Sequence, residues 1–507
     1  MTQGIDVVLV HPGSRSQIYQ ALGADLAAIE PPVWAGLMAT FLRHHGFTVS
    51  IIDAEADELT PEETARRANA LEPLLTAIVV YGHQPSASTQ NMTAAGAICK
   101  ALRRERPDLK SVLVGGHVAA LPERTLREEA ADFVAGGEGP TTLLELVEAL
   151  KAGETPQLGH VHGLWYREGG AVRSNPAAPL VKDLDGEMPE VAWDLLPMEK
   201  YRAHNWHALD GLQRQPYAAI YTTIGCPYHC QFCCIQAPFK SGEKQLGLKE
   251  TTNSYRFWSV PAVIAQIDRL VKEYGVRNIK IADEMFVLNP RHVSGICDAI
   301  IERGYDLNIW AYARVDTVRE EMVDKLKRAG FNWLAFGIEA ANARVRDDVQ
   351  KGFGQEDIFR TINRVRQAGI HVIGNYMFGL PEDDLETMQE TLDMALELNC
   401  EFANLYSAMA YPGSVLYQTA LREGLPLPER WSGYSQHAVD TLPLPTKYLS
   451  GAEVLRFRDH AFQTYFSSPR YLEMIERRFG PETVAHLRQM MSHKLARQHA
   501  APELTNA

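Results

Sequence analysis

Short β-branched runs alternate with helical patterns in two separate blocks of this chain, and that alternation leaves few folds open. Strands joined through crossover helices form parallel sheets, because each helix returns the chain to the same end of the sheet. In residues 1–150 we predict five strands and four helices, which build a doubly wound α/β domain. The ligand of such a domain lies beyond the carboxyl ends of its strands.

The second block begins at Tyr217 and predicts six strands separated by five helices. Its opening strand is predicted over Ala218–Thr223, and two of its helices over Val260–Tyr274 and Leu385–Leu398. Six such units close about three quarters of a TIM-like barrel, with reacting groups on the loops that follow the strands. We therefore predict a partial (βα)6 barrel as the second domain.

The segments outside the two blocks show no alternation of strands and helices. Residues 151–215 suggest a hairpin followed by a connector, and residues 413–507 suggest a helical region. Within that region, His493–Arg497 is expected on an exposed helix face, and Ala500–Ala507 is expected to be a frayed tail. The predicted regions are 1–150, 151–215, 216–412 and 413–507.

Charge and composition narrow the possible functions. The 507 residues carry 50 Lys plus Arg against 63 Asp plus Glu, a net charge of −13 that opposes non-specific binding of nucleic acid. The first residues contain no basic stretch followed by an apolar one, and no run reaches the roughly eighteen apolar residues of a spanning helix. We therefore expect a cytoplasmic protein without a membrane span. Seven cysteines, four of them within nine residues, do not suggest a disulfide framework in a chain of this length.

Three cysteines follow the first predicted strand of the second block, where a barrel places its reacting groups. Cys226, Cys230 and Cys233 have a spacing that suits one four-iron four-sulfur cluster, although such clusters usually take four cysteines. One iron is then left for a small molecule. Structural zinc is the alternative, with Cys234 as a fourth ligand, but adjacent cysteines tend to point in different directions.

This Cys-x-x-x-Cys-x-x-Cys loop, with the aromatic Phe232 before its third cysteine, resembles the signature of the radical S-adenosylmethionine (SAM) enzymes. In that family the amino and carboxylate groups of SAM chelate the open iron, and the reduced cluster cleaves SAM to a 5′-deoxyadenosyl radical. The resemblance implies a 4Fe-4S cluster on Cys226, Cys230 and Cys233, with Cys234 as a packing thiol. It also implies an oxygen-sensitive site and an electron donor such as flavodoxin or ferredoxin.

Polar residues after successive strands of the second block match positions at which this family binds SAM. Asp283 and Glu284 match the acids that hold the methionyl ammonium, and Arg314 is placed to pair with the carboxylate through its planar fork. Glu339 resembles the glutamate that contacts the ribose or the amino group. A surface salt bridge is the alternative for any one of these charged residues. The implied SAM contacts are Phe232, Asp283, Glu284, Arg314, Glu339, Asn375 and Gly379.

Glycine-rich loops follow the predicted strands of the first block. Glycine lets a bulky ligand approach the backbone, although plain tight turns are an equally good explanation of such loops. Directly before a radical SAM loop, they resemble the cobalamin-binding domain of cobalamin-dependent radical SAM enzymes, as does the Glu30-Pro31-Pro32 segment. The resemblance implies cobalamin contacts at Pro12, Gln84, Ser86, Ser88, Gly115, Gly116, His117, Gly137, Glu138 and Gly139.

One motif of the cobalamin mutases is missing. Their Asp-x-His-x-x-Gly sequence supplies a histidine to cobalt, whereas Pro12-Gly13-Ser14 follows the first strand here. Any bound cobalamin is therefore expected to lack a histidine on its lower face. His83 and His117 are the candidates to test, and the alternative for each is a loop histidine that hydrogen-bonds the backbone or the corrin side chains.

Two domains whose ligand-binding edges face each other imply one cavity for cobalamin, SAM and a small-molecule substrate. Methylating members of the family that this chain resembles use one SAM to methylate cobalamin and a second to make the radical that abstracts hydrogen. We therefore expect methyl transfer to an unactivated carbon, or to phosphorus, of a small metabolite, natural-product intermediate or lipid. A non-methylating oxidative cyclase or ring rearrangement is the alternative within the family, and a cofactor-binding sensor is the non-catalytic alternative.

Overall fold

A computed structural model of the chain describes residues 4–13, 15–20, 27–153, 156–209, 211, 213–240 and 255–499. Both predicted alternations of strand and helix are present, each with its own parallel sheet, and helices follow the second sheet. The predicted fold class is therefore confirmed. Within the described ranges, no helix is long and apolar enough to span a membrane.

Seven strands form the first sheet: β1 (Val7–His11), β2 (Val49–Asp53), β3 (Leu75–Val79), β4 (Lys110–Val114), β5 (Phe133–Ala135), β6 (Leu164–Glu168) and β7 (Ala171–Ser174). They lie in the order β2-β1-β3-β4-β5-β6-β7, with β1 to β5 parallel. The chain changes direction across the sheet between β1 and β3. In open parallel sheets the crevice at such a switch point is where ligands bind.

Helices cover both faces of this sheet, since alternate residues of β1 enter two different cores. Thr60 and Glu63 form a capping box at the start of the third helix, which satisfies its first free backbone donors. The helices are α1 (Arg15–Ile18), α2 (Val33–His44), α3 (Pro61–Asn69), α4 (Ala87–Glu105), α5 (Gly116–Ala120), α6 (Pro122–Glu128) and α7 (Pro140–Lys151).

The hairpin that we placed in the connector is the edge of the first sheet. Its strand β6 pairs antiparallel with β5, and β7 pairs antiparallel with β6. The connector then contains α8 (Leu184–Glu187) and packs against α2, where Gly36 leaves room for Val191. The chain between the two sheets is therefore anchored on the first one.

Eight strands follow: β8 (Tyr217–Ile220), β9 (Thr223–Ile224), β10 (Arg256–Phe257), β11 (Asn278–Ile281), β12 (Asn308–Ala313), β13 (Phe331–Glu339), β14 (His371–Phe378) and β15 (Phe402–Ser407). Six of them form a parallel sheet in the order β15-β14-β13-β12-β11-β8, and β9 pairs with β10 as a short antiparallel ribbon. Among the described residues the edge strands β8 and β15 do not pair. The sheet is therefore an open, partial barrel.

Local sequence signals set the ends of the barrel helices. Ser259 caps the amino end of α10 by accepting a hydrogen bond from Ala262 N, and Gly275 ends the helix in the left-handed conformation at φ 65°. The helices of this domain are α9 (Ala237–Lys240), α10 (Val260–Tyr274), α11 (Pro290–Arg303), α12 (Glu320–Arg328), α13 (Ala343–Asp348), α14 (Gln355–Gln367) and α15 (Leu385–Leu398).

An aromatic cluster fills the amino-terminal end of the barrel. Trp206, from the connector, lies 5.1 Å from Trp310, 5.6 Å from Trp333 and 6.1 Å from Phe402, measured between ring centres. These residues lie early in β12, β13 and β15, and one side chain contacts all three, so they share the concave face. The carboxyl ends of the strands are left for a ligand.

The carboxy-terminal region is helical, as predicted, with α16 (Val415–Glu423), α17 (Gly451–Ser467), α18 (Pro469–Phe479) and α19 (Pro481–Ser492). Our prediction for His493–Arg497 is wrong, because α19 ends at Ser492. Arg497 has only 5% of its side chain exposed and pairs with Asp459 at 2.9 Å. The predicted frayed tail, Ala500–Ala507, lies outside the described residues.

Candidate active site

The cysteine loop, residues 225–236, leaves the first barrel strand through Thr222 and Thr223. Asp283, just after β11, holds this exit by accepting hydrogen bonds from Thr222 N (2.6 Å), Thr222 Oγ1 (2.5 Å) and Thr223 Oγ1 (2.9 Å). Burial raises the pKa of the Asp283 carboxyl to about 6. Both of its oxygens are directed at the root of the loop, so this acid shapes the loop.

The loop also folds back on itself. Cys233 N donates to Cys230 O at 3.0 Å, and the Gln236 side-chain amide donates to the carbonyl oxygens of Cys226 and Tyr228. Cys226 is buried, whereas Cys230 and Cys233 are partly buried. The three cysteines are therefore presented by one loop with a defined shape.

The thiols of this loop influence one another. Burial raises the pKa of Cys226 to about 12, and the charges of Glu284 and Cys230 add to that rise. Burial also raises the pKa of Cys233 well above its usual value, and the charges of its neighbouring cysteines raise it further. A thiol with a raised pKa needs nearby positive charge to remain a thiolate, and the iron of a cluster supplies that charge. The residues present therefore fit a cluster.

Cys234, the fourth cysteine of the loop, is 7% exposed and lies beside Gly413, where an added Cβ would be 3.7 Å from Cys234 Cβ. It also contributes to the wall of a pocket next to Glu284. Over the part of the chain that the structure describes, no three His, Cys, Asp or Glu side chains are grouped closely enough to hold one metal ion.

Arg314, just after β12, lies against the cysteine loop. Its Nε and Nη2 atoms pair with Asp316 at 2.9 and 3.0 Å, and its guanidinium lies 3.9 Å from the centre of the Tyr228 ring. The remaining Nη1 is 3.9 Å from Cys230 Sγ. Asp316 therefore binds the two guanidinium nitrogens that we expected to bind the SAM carboxylate. The third nitrogen, Nη1, faces Cys230.

Glu339 ends β13 in the left-handed conformation, at φ 67°, beside a shift in register with β14. Its Oε1 pairs with Lys351 Nζ at 2.8 Å, with 8% and 7% of the two side chains exposed. Burial opposes the charge of Lys351, but the charges of Glu339 and Cys230 raise its pKa. Lys351 Nζ also lies 5.9 Å from the centre of the Phe232 ring. Lys351 is a residue of this site that the sequence analysis missed.

Glu284 differs from its neighbour Asp283 because its buried Oε2 atom has no hydrogen-bond partner among the described residues. The Glu284 side chain lines a pocket together with Tyr221 and Cys234. Burial, with a contribution from the charge of Asp283, raises the pKa of Glu284 to about 8. A buried carboxyl group without a partner suits a cationic ligand group. Of the two predicted acids, Glu284 is the one free to hold an ammonium.

Asn375 and Gly379 lie near the carboxyl end of β14. Asn375 donates to a backbone carbonyl of β13 at 3.0 Å and accepts from Asn404 Nδ2 at 2.8 Å. Gly379 has φ 82°, donates to Asp383 Oδ2 at 2.9 Å, and has no room for a side chain because Val454 of α17 packs on it. Both positions therefore belong to a tightly packed strand end.

On the first sheet, Ser88 and Gly115 join the ends of β3 and β4. Gly115 passes so close to β3 that an added Cβ would lie 2.6 Å from the carbonyl carbon of Val80. Ser88 Oγ donates to Val80 O and accepts from His117 N at 2.9 Å. Glycine is required at Gly115 by this close approach of two backbones.

The two candidate histidines are hydrogen-bonded within the protein. His83 Nε2 lies 2.6 Å from Pro31 O, and its Nδ1 lies 3.7 Å from Glu30 Oε2. His117 is 2% exposed, with Nδ1 3.2 Å from Thr89 Oγ1. Burial lowers the pKa of His83 to about 4 and that of His117 to about 3. The contact with a backbone carbonyl favours the loop-histidine alternative for His83, whereas His117 lies in α5 and its buried Nε2 has no hydrogen bond to the described residues.

Glu138, between Gly137 and Gly139, connects the two domains. Its carboxylate is 3% exposed, pairs with Arg256 Nη2 at 2.5 Å and accepts from Val181 N at 3.0 Å. Arg256 lies in β10, which pairs with β9 at the root of the cysteine loop. The carboxylate that we expected at cobalamin is therefore used to join the first sheet to that root.

The other predicted cobalamin residues lie at the same edge of the first sheet. This follows from parallel pairing, which brings the carboxyl ends of the strands together. They are Pro12 after β1, Gln84 and Ser86 after β3, Gly116 after β4, and Gly137 with Gly139 after β5.

The carboxyl edges of the two sheets face each other across a cleft. Gln84 Nε2, from the first domain, donates to Tyr312 OH of β12 at 2.8 Å. A small pocket between the domains is lined by Ser88 and Gly116 on one side and by Cys234 and Glu284 on the other. The predicted cobalamin edge and the cysteine loop therefore open into one space.

Comparison with known proteins gives the family. The family model described as B12 binding domain matches residues 19–147, which contain strands β2 to β5 of the first sheet. The model described as Radical SAM superfamily matches residues 220–395, which contain the cysteine loop and most of the barrel. Both domains that the sequence resembles are therefore present.

The chain is 30% identical over 467 residues to the uncharacterized methyltransferase PH0819 of Pyrococcus horikoshii, covering 92% of this chain and 93% of that protein. It is 27% identical to the anaerobic magnesium-protoporphyrin IX monomethyl ester cyclase of Rubrivivax gelatinosus, over 81% of this chain and 69% of that one. The structure of the radical SAM methyltransferase TsrM from Kitasatospora setae, with cobalamin and a 4Fe-4S cluster bound, has a TM-score of 0.64 at 17% identity. It covers 92% of this chain and 90% of that one and shows a shared fold.

A B12-binding sheet followed by a radical SAM barrel defines an enzyme class that generates radicals from SAM beside a corrin. This chain belongs to the cobalamin-dependent radical SAM enzymes. Its cofactors are a 4Fe-4S cluster, SAM and cobalamin.

Proposed function

We propose that the protein is a methyltransferase that adds a methyl group to an unactivated carbon, or to phosphorus, of a small metabolite, natural-product intermediate or lipid. One observation carries this proposal: Ser88 and Gly116 share a cleft with Cys234 and Glu284. A methyl donor and a radical source that open into one space can act on the same substrate atom. The methyltransferase relative that matches 92% of this chain supports the proposal.

We assign the cluster to Cys226, Cys230 and Cys233. When bound, the cofactors supply the methyl group and the adenosyl radical, and the protein supplies position and shielding from water. Glu284 is proposed to hold the methionyl ammonium, because its buried oxygen has no other partner. Glu339, fixed by Lys351, is proposed to contact the ribose or the amino group.

Other residues give the site its shape. Asp283 fixes the exit of the cysteine loop, and Glu138 joins that exit to the first sheet through Arg256. The Trp206 cluster closes the amino-terminal end of the barrel. A radical formed beside the cysteine loop therefore faces the cobalamin edge, and water is excluded from the opposite end of the barrel.

We further propose a flavodoxin or ferredoxin as the source of the electron that reduces the cluster. A reducing, cytoplasmic setting suits seven cysteines without a disulfide framework. The net charge of −13 opposes nucleic acid as a substrate. A small molecule remains the expected substrate.

Methyl transfer is tested by following the methyl group. The enzyme, reconstituted anaerobically with its cluster and cobalamin, is incubated with a chemical reductant and with SAM that carries a deuterated methyl group, and the corrin fraction is analysed by mass spectrometry. We expect deuterated methylcobalamin and S-adenosylhomocysteine. A corrin that stays unlabelled while 5′-deoxyadenosine accumulates contradicts methylation.

The second candidate is a non-methylating oxidative cyclase or ring rearrangement, which the similarity to the Rubrivivax cyclase supports. The same experiment separates the two functions. A cyclase forms 5′-deoxyadenosine from SAM without labelled methylcobalamin, and its product gains no CH₂ unit. Formation of neither compound supports the non-catalytic sensor.

A further inference from the structure

Arg314 places a charged donor beside a cysteine that the proposed function assigns to the cluster. Its Nη1 lies 3.9 Å from Cys230 Sγ, while Nε and Nη2 are occupied by Asp316. Its guanidinium also stacks on Tyr228, two residues before Cys230, with 3.9 Å between guanidinium carbon and ring centre. Asp316 and Tyr228 therefore hold the guanidinium in place, with Nη1 directed at Cys230.

The two members of the Arg314–Asp316 pair differ in their exposure to water. The Arg314 side chain is 6% exposed, whereas the Asp316 side chain is 39% exposed. Water screens the charge of Asp316 more effectively than it screens the buried charge of Arg314. At Cys230, which contacts the guanidinium itself, the screened carboxylate therefore offsets the charge of Arg314 only in part.

We propose that Arg314 raises the reduction potential of the cluster by donating a hydrogen bond from Nη1 to the Cys230 thiolate. Reduction adds one electron from the external donor to the cluster, without forming or breaking a covalent bond. The added negative charge is stabilised by a nearby cation and by hydrogen bonds to the cluster sulfurs. Arg314 thereby makes the cluster easier to reduce before SAM is cleaved.

The neighbouring Lys351 provides a contrast. Its partner Glu339 is as buried as Lys351 itself, with 8% and 7% of the side chains exposed, so the two charges offset each other at the loop. No hydrogen bond from Lys351 to a cysteine accompanies this pair among the contacts of the described residues. We therefore assign the tuning of the cluster to Arg314.

The test is a redox titration of the reconstituted protein without SAM, followed by electron paramagnetic resonance of the reduced cluster. Arg314→Gln removes the charge and is expected to lower the midpoint potential. Arg314→Lys keeps the charge but loses the fork, and is expected to lie between Arg314→Gln and the wild type. Asp316→Asn removes the opposing charge and is expected to raise the potential. Arg303→Gln, on the far end of α11, is the matched control and should leave it unchanged.

Iron content separates this inference from the proposed function on which it rests. Wild-type protein that fails to assemble a cluster contradicts the assignment of the three cysteines. A normal cluster whose potential is unchanged in Arg314→Gln, or falls in both Arg314→Gln and Asp316→Asn, overturns the role of Arg314. If Arg314→Gln loses its iron, the test rests on Asp316→Asn. A midpoint potential above that of the wild type supports the proposal, and an unchanged or lower midpoint potential refutes it.

Discussion

The facing edges of the two sheets differ in the kinds of residue that form them. At the first sheet, glycines such as Gly115 bring backbones together, and polar side chains such as Ser88 and Glu138 are hydrogen-bonded within the protein. At the barrel, Arg314 and the pair of Glu339 with Lys351 gather around one cysteine loop. One edge is defined by shape and the other by charge.

This difference matches the two ligands that the family binds. A corrin is large, so a cobalamin edge needs room and a backbone that can be approached closely. SAM is small and carries an ammonium, a carboxylate and a sulfonium, so its edge needs placed charges. Substitutions of the glycines at the first edge should therefore act through packing, and substitutions of the charged residues at the second through charge or redox chemistry.

The largest effect is expected at the cluster. Replacing Cys226, Cys230 or Cys233 with alanine is expected to abolish formation of 5′-deoxyadenosine, because each removes a proposed iron ligand. The Cys234→Ala variant is the control and should keep both cluster and cleavage, since we assign no iron to the buried Cys234. Chromatography of anaerobic reactions measures the product. Loss of iron from Cys234→Ala would overturn this choice of ligands.

The next effect should come from the ion pair that joins the edges. Glu138→Gln removes the negative charge that faces Arg256, in a site where the glutamate is 3% exposed. We expect a loss of about 3 kcal/mol in the free energy of unfolding, measured by denaturant titration. Asp194→Asn breaks an exposed pair with Arg43, 41% and 45% exposed, and should cost less than about 1 kcal/mol. Equal losses in the two variants would show that Glu138 has no special role.

Two neighbouring glycines test whether shape defines the first edge. An added Cβ at Gly115 would lie 2.6 Å from a backbone carbonyl carbon of Val80, whereas one at Gly116 would lie 3.6 Å from the Ser88 side chain. We expect Gly115→Ala to lower the free energy of unfolding by about 2 kcal/mol, and Gly116→Ala to lower it far less. Cobalamin binding, followed by absorbance, should weaken in Gly116→Ala without loss of folding. Indistinguishable stabilities would contradict the crowded geometry at Gly115.

The smallest effect concerns the charge of Glu284, whose pKa burial raises to about 8. The group is neutral below that pH and carries a negative charge above it. SAM binding to the reconstituted enzyme should therefore strengthen by about tenfold as the pH rises through 8, and then level off. Glu284→Gln, measured in the same buffers, corrects for titration of SAM and of the nearby Asp283. A wild-type pH profile that matches that of Glu284→Gln would exclude Glu284 as the ammonium partner.

Local signals made much of the fold predictable. The predicted bounds of α10 and α15 match the structure, because Ser259 with Gly275 and Asp384 with Asn399 supply the start and stop signals. The opening barrel strand was predicted too long. It ends at Ile220, because Thr222 and Thr223 turn toward Asp283, a contact across 61 and 60 residues that no local pattern contains.

Site residues could be predicted where they directly follow a strand in the sequence. They could not be predicted where their role depends on a partner far away in the sequence. Lys351 lies in a loop twelve residues after Glu339, and only the folded chain brings the two together. Glycines on both sides made Glu138 look like a ligand residue, but its partner Arg256 is 118 residues away. Arg497 looked solvated for the same reason, since its contact with Asp459 is made in the tertiary structure.

The central claim is that the cobalamin edge and the cysteine loop open into one cleft. It is tested most directly by electron paramagnetic resonance of protein that contains both a reduced cluster and cob(II)alamin. We predict mutual broadening of the two signals, relative to protein loaded with either cofactor alone, because the two unpaired spins would share one cleft. Two signals that match those of the singly loaded proteins would contradict a shared cleft.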